Sequence, residues 1–258
     1  MLELPDGTEL GRSGNHAEVN GAKIYYEVHG EGEPLLLMHG AWSTLESFSH
    51  QAAELSRHFK VILAETRGHG RSPDTPQPFT YRQSADDMLA LLDHLGARPA
   101  HLLGWSNGAV VGLVMCLERP EHIGRFVSIS GTFNTRGLTE RFLRWFESAT
   151  PESLDKLMIR AYQRVSPDGP DHFDVVFDKV KRQGETHPEL EMEDLGHIDI
   201  PTLVMAGDRD IIYLDHSIDF YRGLPRAELS IVPGADHLLL RRRADIVNPQ
   251  IIDFLTRD

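Results

Sequence analysis

The chain has 258 residues, of which 40% are hydrophobic and 25% are charged, and its formal net charge at pH 7 is −13. This composition is too apolar for a disordered chain. The net negative charge disfavours broad contact with phosphate backbones or anionic lipid. We therefore expect a globular protein with no nucleic-acid partner and no membrane partner.

The sequence also indicates the cellular compartment of the protein. Cys116 is the one cysteine, which excludes an intrachain disulfide and is typical of a reducing compartment. The opening residues 1–11 lack the basic residues and the apolar stretch that an export signal needs. The longest apolar run, residues 108–117, is about half of the roughly 20 residues that span a bilayer. We expect a soluble cytoplasmic protein.

Predicted strands and helices alternate along the first half of the chain. Asn20-Gly21 predicts a hairpin turn between two strands. The continuous apolar run at 34–38 is typical of a strand that is buried on both faces. Further strands are predicted at 61–64, 101–103 and 126–129, and helices at 46–59, 81–95 and 107–118. This alternation predicts an α/β fold with a mostly parallel central sheet and helices on both faces.

The alternation stops between residues 131 and 196, where helical patterns occur without a convincing buried strand. Strands resume at 202–206 and 229–232, with a helix at 214–221 between them and a last helix around 246–255. We divide the chain into a core, residues 1–130 and 197–258, and a helical insertion, residues 131–196. We interpret the insertion as a lid over the carboxyl ends of the strands. The alternative is a helical layer that only covers the sheet edge.

The pentapeptide Gly104-Trp105-Ser106-Asn107-Gly108 follows a predicted strand and opens a predicted helix. The pattern G-x-S-x-G alone is weak evidence, but the strand–turn–helix context is the one that a nucleophilic serine on a sharp turn requires. Ser106 is therefore the candidate nucleophile. The alternative interpretation is a tight turn of small residues that carries no chemistry.

A serine hydroxyl needs a base to accept its proton, and the base needs an orienting acid. Of the fourteen histidines, only His237 follows the last predicted strand, in a loop rich in Pro and Gly. Asp208 and Asp210 both follow the strand at 202–206, and spacing alone does not separate them as the acid. We favour Asp210 over Asp208.

A developing oxyanion needs two backbone N–H donors. One candidate is the N–H of Asn107, directly after the candidate nucleophile. The other is the N–H of Ala41, in the turn that follows the strand at 34–38. That turn could also serve only to end the strand.

Five motifs in one order give the chain its resemblance to a known family. They are His39-Gly40, Arg67–Ser72, Gly104–Gly108, Pro201–Asp210 and Val232–His237. Together they resemble the α/β-hydrolase superfamily, in particular its esterase-like members with a serine nucleophile, and the chain is similar to the valacyclovir-hydrolase-like group. That group usually has Asp at the position of Asn107 and Gly at the position of Ala109, so the chain departs from it there. The resemblance implies a Ser106–Asp210–His237 triad, supports Asp210 as the acid, and leaves His69 a structural role.

The resemblance implies a serine hydrolase that cleaves a small ester, lactone or thioester through an acyl-enzyme intermediate, with a small-molecule acyl substrate. No metal-binding or nucleotide-binding motif occurs, so we expect neither a metal nor another cofactor. Two alternatives remain open: a hydrolase of carbon–carbon bonds in diketone-type substrates, and a ligand-binding protein of this fold with little turnover. Trp42, Trp105 and Trp145 are the candidate pocket residues. The sequence does not predict the oligomeric state.

Overall fold

The structure is a computed structural model and describes residues 10–257. The interpretation of the opening segment as free of an export signal concerns mainly residues 1–9, which lie outside the described residues. Within the described range, none of the helices combines the length and the apolar character that crossing a membrane would require.

The described residues form one sheet of eight strands. The strands are β1 Asn15–Val19, β2 Ala22–His29, β3 Pro34–Met38, β4 Lys60–Ala64, β5 Ala100–Trp105, β6 Ile123–Ile129, β7 Thr202–Gly207 and β8 Ala227–Val232. Their order is β1-β2-β4-β3-β5-β6-β7-β8. β2 is antiparallel to both of its neighbours, and every later pair is parallel. The loops that follow the parallel strands therefore meet at one edge of the sheet.

Helices cover both faces of this sheet, which confirms the predicted fold class. The helices are α1 Ser49–Leu55, α2 Tyr81–His94, α3 Asn107–Glu118, α4 Glu140–Ser148, α5 Lys156–Val165, α6 Phe173–Gly184, α7 Met192–Leu195, α8 Leu214–Gly223, α9 Leu239–Arg242 and α10 Ala244–Thr256. Leu36 and Met38 of β3 pack in the cluster with α2, α3 and α8. Leu35 and Leu37 pack in the cluster with α1, α9 and α10. The two faces of β3 therefore pack in two different apolar clusters, which explains its unbroken apolar run.

The segment predicted as one helix over 46–59 is divided in the structure. Leu45–Phe48 is a 3-10 turn, and the α-helix proper is Ser49–Leu55. The buried carboxylate of Glu65 accepts the backbone N–H of Leu45, which fixes the first turn. At the other end, the N–H of Lys60 donates to the carbonyl of Glu33, so the chain must leave the helix early to join the sheet. Both limits come from tertiary contacts that helical periodicity does not contain.

Residues 131–196 contain α4 to α7 and no strand of the sheet. Most of their buried apolar side chains form a third cluster, which also includes Trp42 and Phe79 from core loops. Phe133 and Leu195 pack instead in a cluster of the core. The helical insertion therefore packs on the edge where the parallel strands end. Its action as a lid stays a prediction.

Candidate active site

Ser106 lies on a strained turn between β5 and α3, with φ +55° and ψ −119°. Such a backbone conformation costs a residue other than glycine about 1–3 kcal/mol and persists only where the surroundings enforce it. A Cβ atom at Gly104 would collide with the carbonyl oxygen of Gly108, and one at Gly108 would collide with that of Met38. The two glycines thus allow strand and helix to approach closely enough to hold Ser106 in this conformation.

His237 follows β8 and faces Ser106 across the edge of the sheet. Its Nε2 lies 3.0 Å from the Oγ of Ser106, and its Nδ1 lies 2.7 Å from Oδ1 of Asp210. With Nδ1–H donating to the carboxylate, Nε2 is the acceptor for the serine hydroxyl. The indole N–H of Trp105 donates to the His237 carbonyl at 2.9 Å, which ties the histidine loop to the strand before Ser106.

Asp210, rather than Asp208, contacts the histidine. Its side chain is fully buried, whereas Asp208 is exposed. Burial raises the pKa of the Asp210 carboxyl, but the hydrogen bonds from His237, Ser130 and the Ile211 N–H outweigh burial, so the pKa lies below its ordinary value of 3.8. The carboxylate is therefore ionised at neutral pH, as a group that stabilises an imidazolium must be.

Ser130 is a site residue that the sequence analysis missed. Its hydroxyl donates to Oδ2 of Asp210 at 2.5 Å, and its own backbone has φ +50°. It follows β6, whose neighbour in the sheet is β7, the strand that precedes Asp210. A polar residue at the end of a strand next to β7 was the available signal. The sequence does not give the order of the strands, so it does not show that β6 is that neighbour.

The backbone N–H groups of Ala41 and Asn107 fit the predicted oxyanion donors. Both residues line the same cavity as Ser106. Neither N–H has a hydrogen-bond acceptor among the described residues. Two unpaired donors beside a nucleophile are able to bind a developing negative charge.

Comparison with known proteins identifies the fold family of the chain. The sequence model of a family described as alpha/beta hydrolase fold matches residues 33–165, about half of the chain. The chain belongs to the α/β-hydrolase fold family. This confirms the resemblance found in the sequence, and the chain is an enzyme of the α/β-hydrolase class.

Individual relatives of this α/β hydrolase differ in how much of the chain they match. An uncharacterized hydrolase of Bacillus subtilis, YraK, is 38% identical over 108 residues, which cover 41% of this chain and 40% of that protein. A non-heme haloperoxidase of Rhodococcus erythropolis is 26% identical and covers 92% of this chain and 97% of its own length. A meta-cleavage product hydrolase of Pseudomonas fluorescens IP01 superposes with a TM-score of 0.82 at 19% identity, covering 94% of this chain and 97% of its own.

The cavity beside Ser106 has a volume of about 140 Å³ and mainly apolar walls. Its apolar lining includes Val110, Leu138, Phe142, Leu143, Phe146, Val180, Ile211 and Ile212. Of the three candidate tryptophans, Trp42 lines this cavity, but Trp105 and Trp145 do not. Trp105 is turned toward the His237 backbone, and Trp145 packs edge-on against Trp42. Trp105 lines a neighbouring cavity instead, and a role for Trp105 or Trp145 in substrate binding stays a prediction.

His187 of the helical insertion is a polar group in this apolar lining. Its Nε2 lies 2.9 Å from the hydroxyl of Thr132, and its ring packs edge-on against Tyr81. Burial lowers the pKa of His187 to about 4, so the ring is neutral at pH 7. The hydrolase therefore presents an uncharged imidazole to whatever occupies the cavity.

His69 does not line this cavity. It is buried, and its Nδ1 lies 3.0 Å from the carbonyl of Arg67. Burial lowers the pKa of His69 to about 3. These contacts agree with the structural role expected for His69.

The Asn107 side chain joins the core of the hydrolase to the helical insertion. Its Oδ1 accepts the hydroxyl of Tyr81 at 2.6 Å, and its Nδ2 donates to Oε1 of Gln183 at 2.9 Å. Gln183 in turn donates to the Ser84 hydroxyl at 3.2 Å, and its exposed fraction is 4%. A buried amide of α6 therefore orients the residue that supplies one candidate oxyanion donor.

Gln183→Leu is expected to lower kcat about tenfold and leave KM nearly unchanged, because displacement of the Asn107 N–H weakens binding of the transition state more than of the substrate. The unpaired Nδ2 of Asn107 should also lower the free energy of unfolding by about 1–3 kcal/mol. Steady-state kinetics and thermal unfolding measure the two effects. Arg182→Leu changes the exposed neighbour on α6 and is the matched control. An unchanged kcat with the expected loss of stability would leave Gln183 a purely structural residue.

Proposed function

We propose that this α/β hydrolase cleaves a small ester, lactone or thioester through an acyl-enzyme intermediate, without a cofactor. The observation that carries the proposal is the hydrogen-bonded series of Ser106, His237 and Asp210, with distances of 3.0 and 2.7 Å between successive side chains. The three residues come from loops after β5, β8 and β7. A serine–histidine pair whose histidine is hydrogen-bonded to a buried, ionised carboxylate is an arrangement that catalyses nucleophilic acyl transfer.

In the first half of the reaction, Ser106 attacks the substrate carbonyl carbon while Nε2 of His237 accepts the hydroxyl proton. Asp210 holds the ring in the required tautomer and stabilises the imidazolium. The carbonyl oxygen becomes an oxyanion and accepts hydrogen bonds from the N–H groups of Ala41 and Asn107. When the tetrahedral intermediate collapses, His237 returns the proton to the leaving group, and the acyl group stays on Ser106.

In the second half, a water molecule takes the place of the leaving group. His237 accepts a proton from this water, which attacks the acyl-enzyme carbonyl. The same N–H groups stabilise the second oxyanion. Collapse releases the carboxylic acid, and the proton returns from Nε2 to the Ser106 oxygen.

The lining of the cavity favours an uncharged acyl group. Its walls are mainly apolar, and none of the described residues that line it is Lys or Arg. A carboxylate on the acyl group would therefore lose its hydration without gaining a charged partner, which is costly. Polar recognition is left to His187, Thr132, Thr135, Tyr81 and the serine site itself.

Activity-based labelling combined with a substrate panel tests the proposal. We expect a fluorophosphonate probe to label the wild-type protein at Ser106, as mapped by mass spectrometry, and p-nitrophenyl esters of short uncharged acids to be hydrolysed. Turnover of vinylogous diketones with no ester hydrolysis would instead indicate a carbon–carbon bond hydrolase. Labelling without steady-state turnover of any substrate in the panel would indicate a binding protein of this fold.

A further inference from the structure

A second cavity lies next to the candidate active site but does not include Ser106. Its volume is about 170 Å³. Its apolar walls are the rings of Trp42 and Trp105 together with Leu157, Met158, Leu238 and Leu240. It is therefore bounded by α5 of the helical insertion and by the chain that follows His237, and it is as suited to an alkyl chain as the first cavity.

Trp42 is the residue that lines both cavities; no other described lining residue is common to the two. It directly follows Ala41, so it lies beside a candidate oxyanion donor. Its exposed fraction is 6%, which fits a ring enclosed from both sides. The indole is therefore the partition between the space at Ser106 and the second cavity.

The partition is held in place by contacts with the insertion. The indole stacks on the ring of Phe177, with centroids 5.2 Å apart and planes inclined by 16°. Its N–H donates to the carbonyl of Phe177 at 3.3 Å. The backbone of Trp42 has φ +52°, a conformation that a tryptophan rarely adopts, so the turn directs this ring against α6. The ring is thus a fixed wall.

The volumes set the size of a substrate that fits with the wall in place. An apolar cavity of about 150 Å³ takes up one benzene ring in another protein, which is about six non-hydrogen atoms. The cavity at Ser106, about 140 Å³, is close to this size. From these observations we infer that Trp42 is a specificity-determining residue. It limits the apolar chain of the substrate to about six carbons, and its removal opens the second cavity to longer chains. This inference rests on the proposed acyl-transfer function.

The chemistry of the second cavity further restricts the chain. Glu46 lines it, and Oε2 of this residue is buried without a hydrogen-bond partner. Burial raises the pKa of Glu46, but its hydrogen bond and charge interaction with Arg71 outweigh burial, so the pKa lies below its ordinary value and the side chain is a carboxylate. Asp155 and Arg241 also line the cavity, so its two acidic side chains outnumber its one arginine, and a second carboxylate gains no net attraction there. The extended chain should therefore end in an uncharged group.

The test is the chain-length profile of ester hydrolysis by wild type and by Trp42→Ala. Two series are measured: p-nitrophenyl esters of acetate to decanoate, and butanoate esters of ethanol to decanol. For wild type, kcat/KM should fall beyond about six carbons in the chain that enters the cavity. For Trp42→Ala, the ratio of the ten-carbon to the four-carbon ester should rise at least tenfold in one of the two series, since one methylene in an apolar pocket changes kcat/KM by tenfold or more.

Three further variants assign the gain to the second cavity. Ala161→Phe fills that cavity and, combined with Trp42→Ala, should reverse the gain. Leu157→Ala enlarges the cavity with the partition intact and should leave the wild-type profile unchanged. Trp42→Leu keeps an apolar contact with Phe177 and should give the same direction of change if Trp42→Ala is too unstable to purify. A ten-carbon chain that ends in a carboxylate should gain less than its uncharged analogue.

Failure of the inference and failure of the proposed function give different results. Ester hydrolysis by wild type with an unchanged profile in both Trp42 variants would overturn the inference alone. If wild type hydrolyses no ester, lactone or thioester, the proposed function fails, and the partition is tested by a crystal structure of Trp42→Ala soaked with 1-decanol. A chain that runs from Ser106 into the second cavity supports the partition, and a chain confined to either cavity overturns it.

Discussion

Replacement of Ser106 by alanine is expected to lower kcat about 10⁶-fold and to abolish labelling by a fluorophosphonate probe. The Oγ atom is the nucleophile that the proposed mechanism needs, and loss of the nucleophile costs about this much in another serine hydrolase. Because the turn already constrains the backbone at φ +55°, alanine should adopt the same conformation. The measurements are steady-state kinetics with p-nitrophenyl butanoate and mass spectrometry of the labelled protein.

Ser13→Ala is the matched control for Ser106→Ala. Ser13 also follows a Gly-x pair, but it is exposed and precedes β1. Its removal should leave both turnover and labelling at the wild-type level, and thermal unfolding should show that both variants are folded. Turnover by Ser106→Ala above about a thousandth of the wild-type rate, or labelling of another residue, would contradict the mechanism.

Segments with a dense apolar pattern were the most predictable part of this fold. The predicted bounds of the strand Pro34–Met38 and of the helix Asn107–Glu118 are those of the structure. In both segments the apolar pattern is dense, and the segments at either side contain glycine, proline or charged residues. In such segments the burial of apolar side chains dominates the local free energy, and the apolar pattern is visible in the sequence.

Boundaries were less predictable where distant residues end an element. The helix predicted over 46–59 is shortened at its start by the buried carboxylate of Glu65 and at its end by the pairing of Lys60 with the sheet. Helical periodicity does not contain either partner. Local propensity therefore placed the helix correctly and gave it the wrong length.

In the candidate site, positions that follow from sheet topology were predictable, and contacts that depend on the placement of the insertion were not. Ser106, His237 and Asp210 could be predicted together because loops after parallel strands meet at one edge of a sheet. Gln183 could not, because its contact with Asn107 joins the core to a helix whose position depends on the whole insertion. The direction of the Trp42 ring was also unpredictable, since the unusual φ of that residue decides it.

Asp210→Asn is expected to lower kcat about 10³-fold, which is less than the roughly 10⁴-fold loss that the equivalent change causes in another serine hydrolase. In that enzyme the amide favours the wrong tautomer of the histidine. Here the Ile211 N–H and His237 both donate to Oδ1, so an amide oxygen at this position keeps both bonds. The amide N–H₂ would then point to the Ser130 hydroxyl, which is able to turn and accept. The ring orientation survives, and the loss comes from the missing negative charge.

Adding Ser130→Ala should bring the loss in Asp210→Asn toward 10⁴-fold, because the amide no longer has a partner that fixes its orientation. Ser130→Ala alone should cost much less, since the carboxylate keeps its bonds to His237 and the Ile211 N–H. Kinetics of the two single variants and the double variant measure the coupling between the two positions. Asp208→Asn, at an exposed position, is the control and should retain wild-type kcat within about twofold, as surface substitutions usually do. Additive losses from Asp210→Asn and Ser130→Ala would show that Ser130 does not orient the acid.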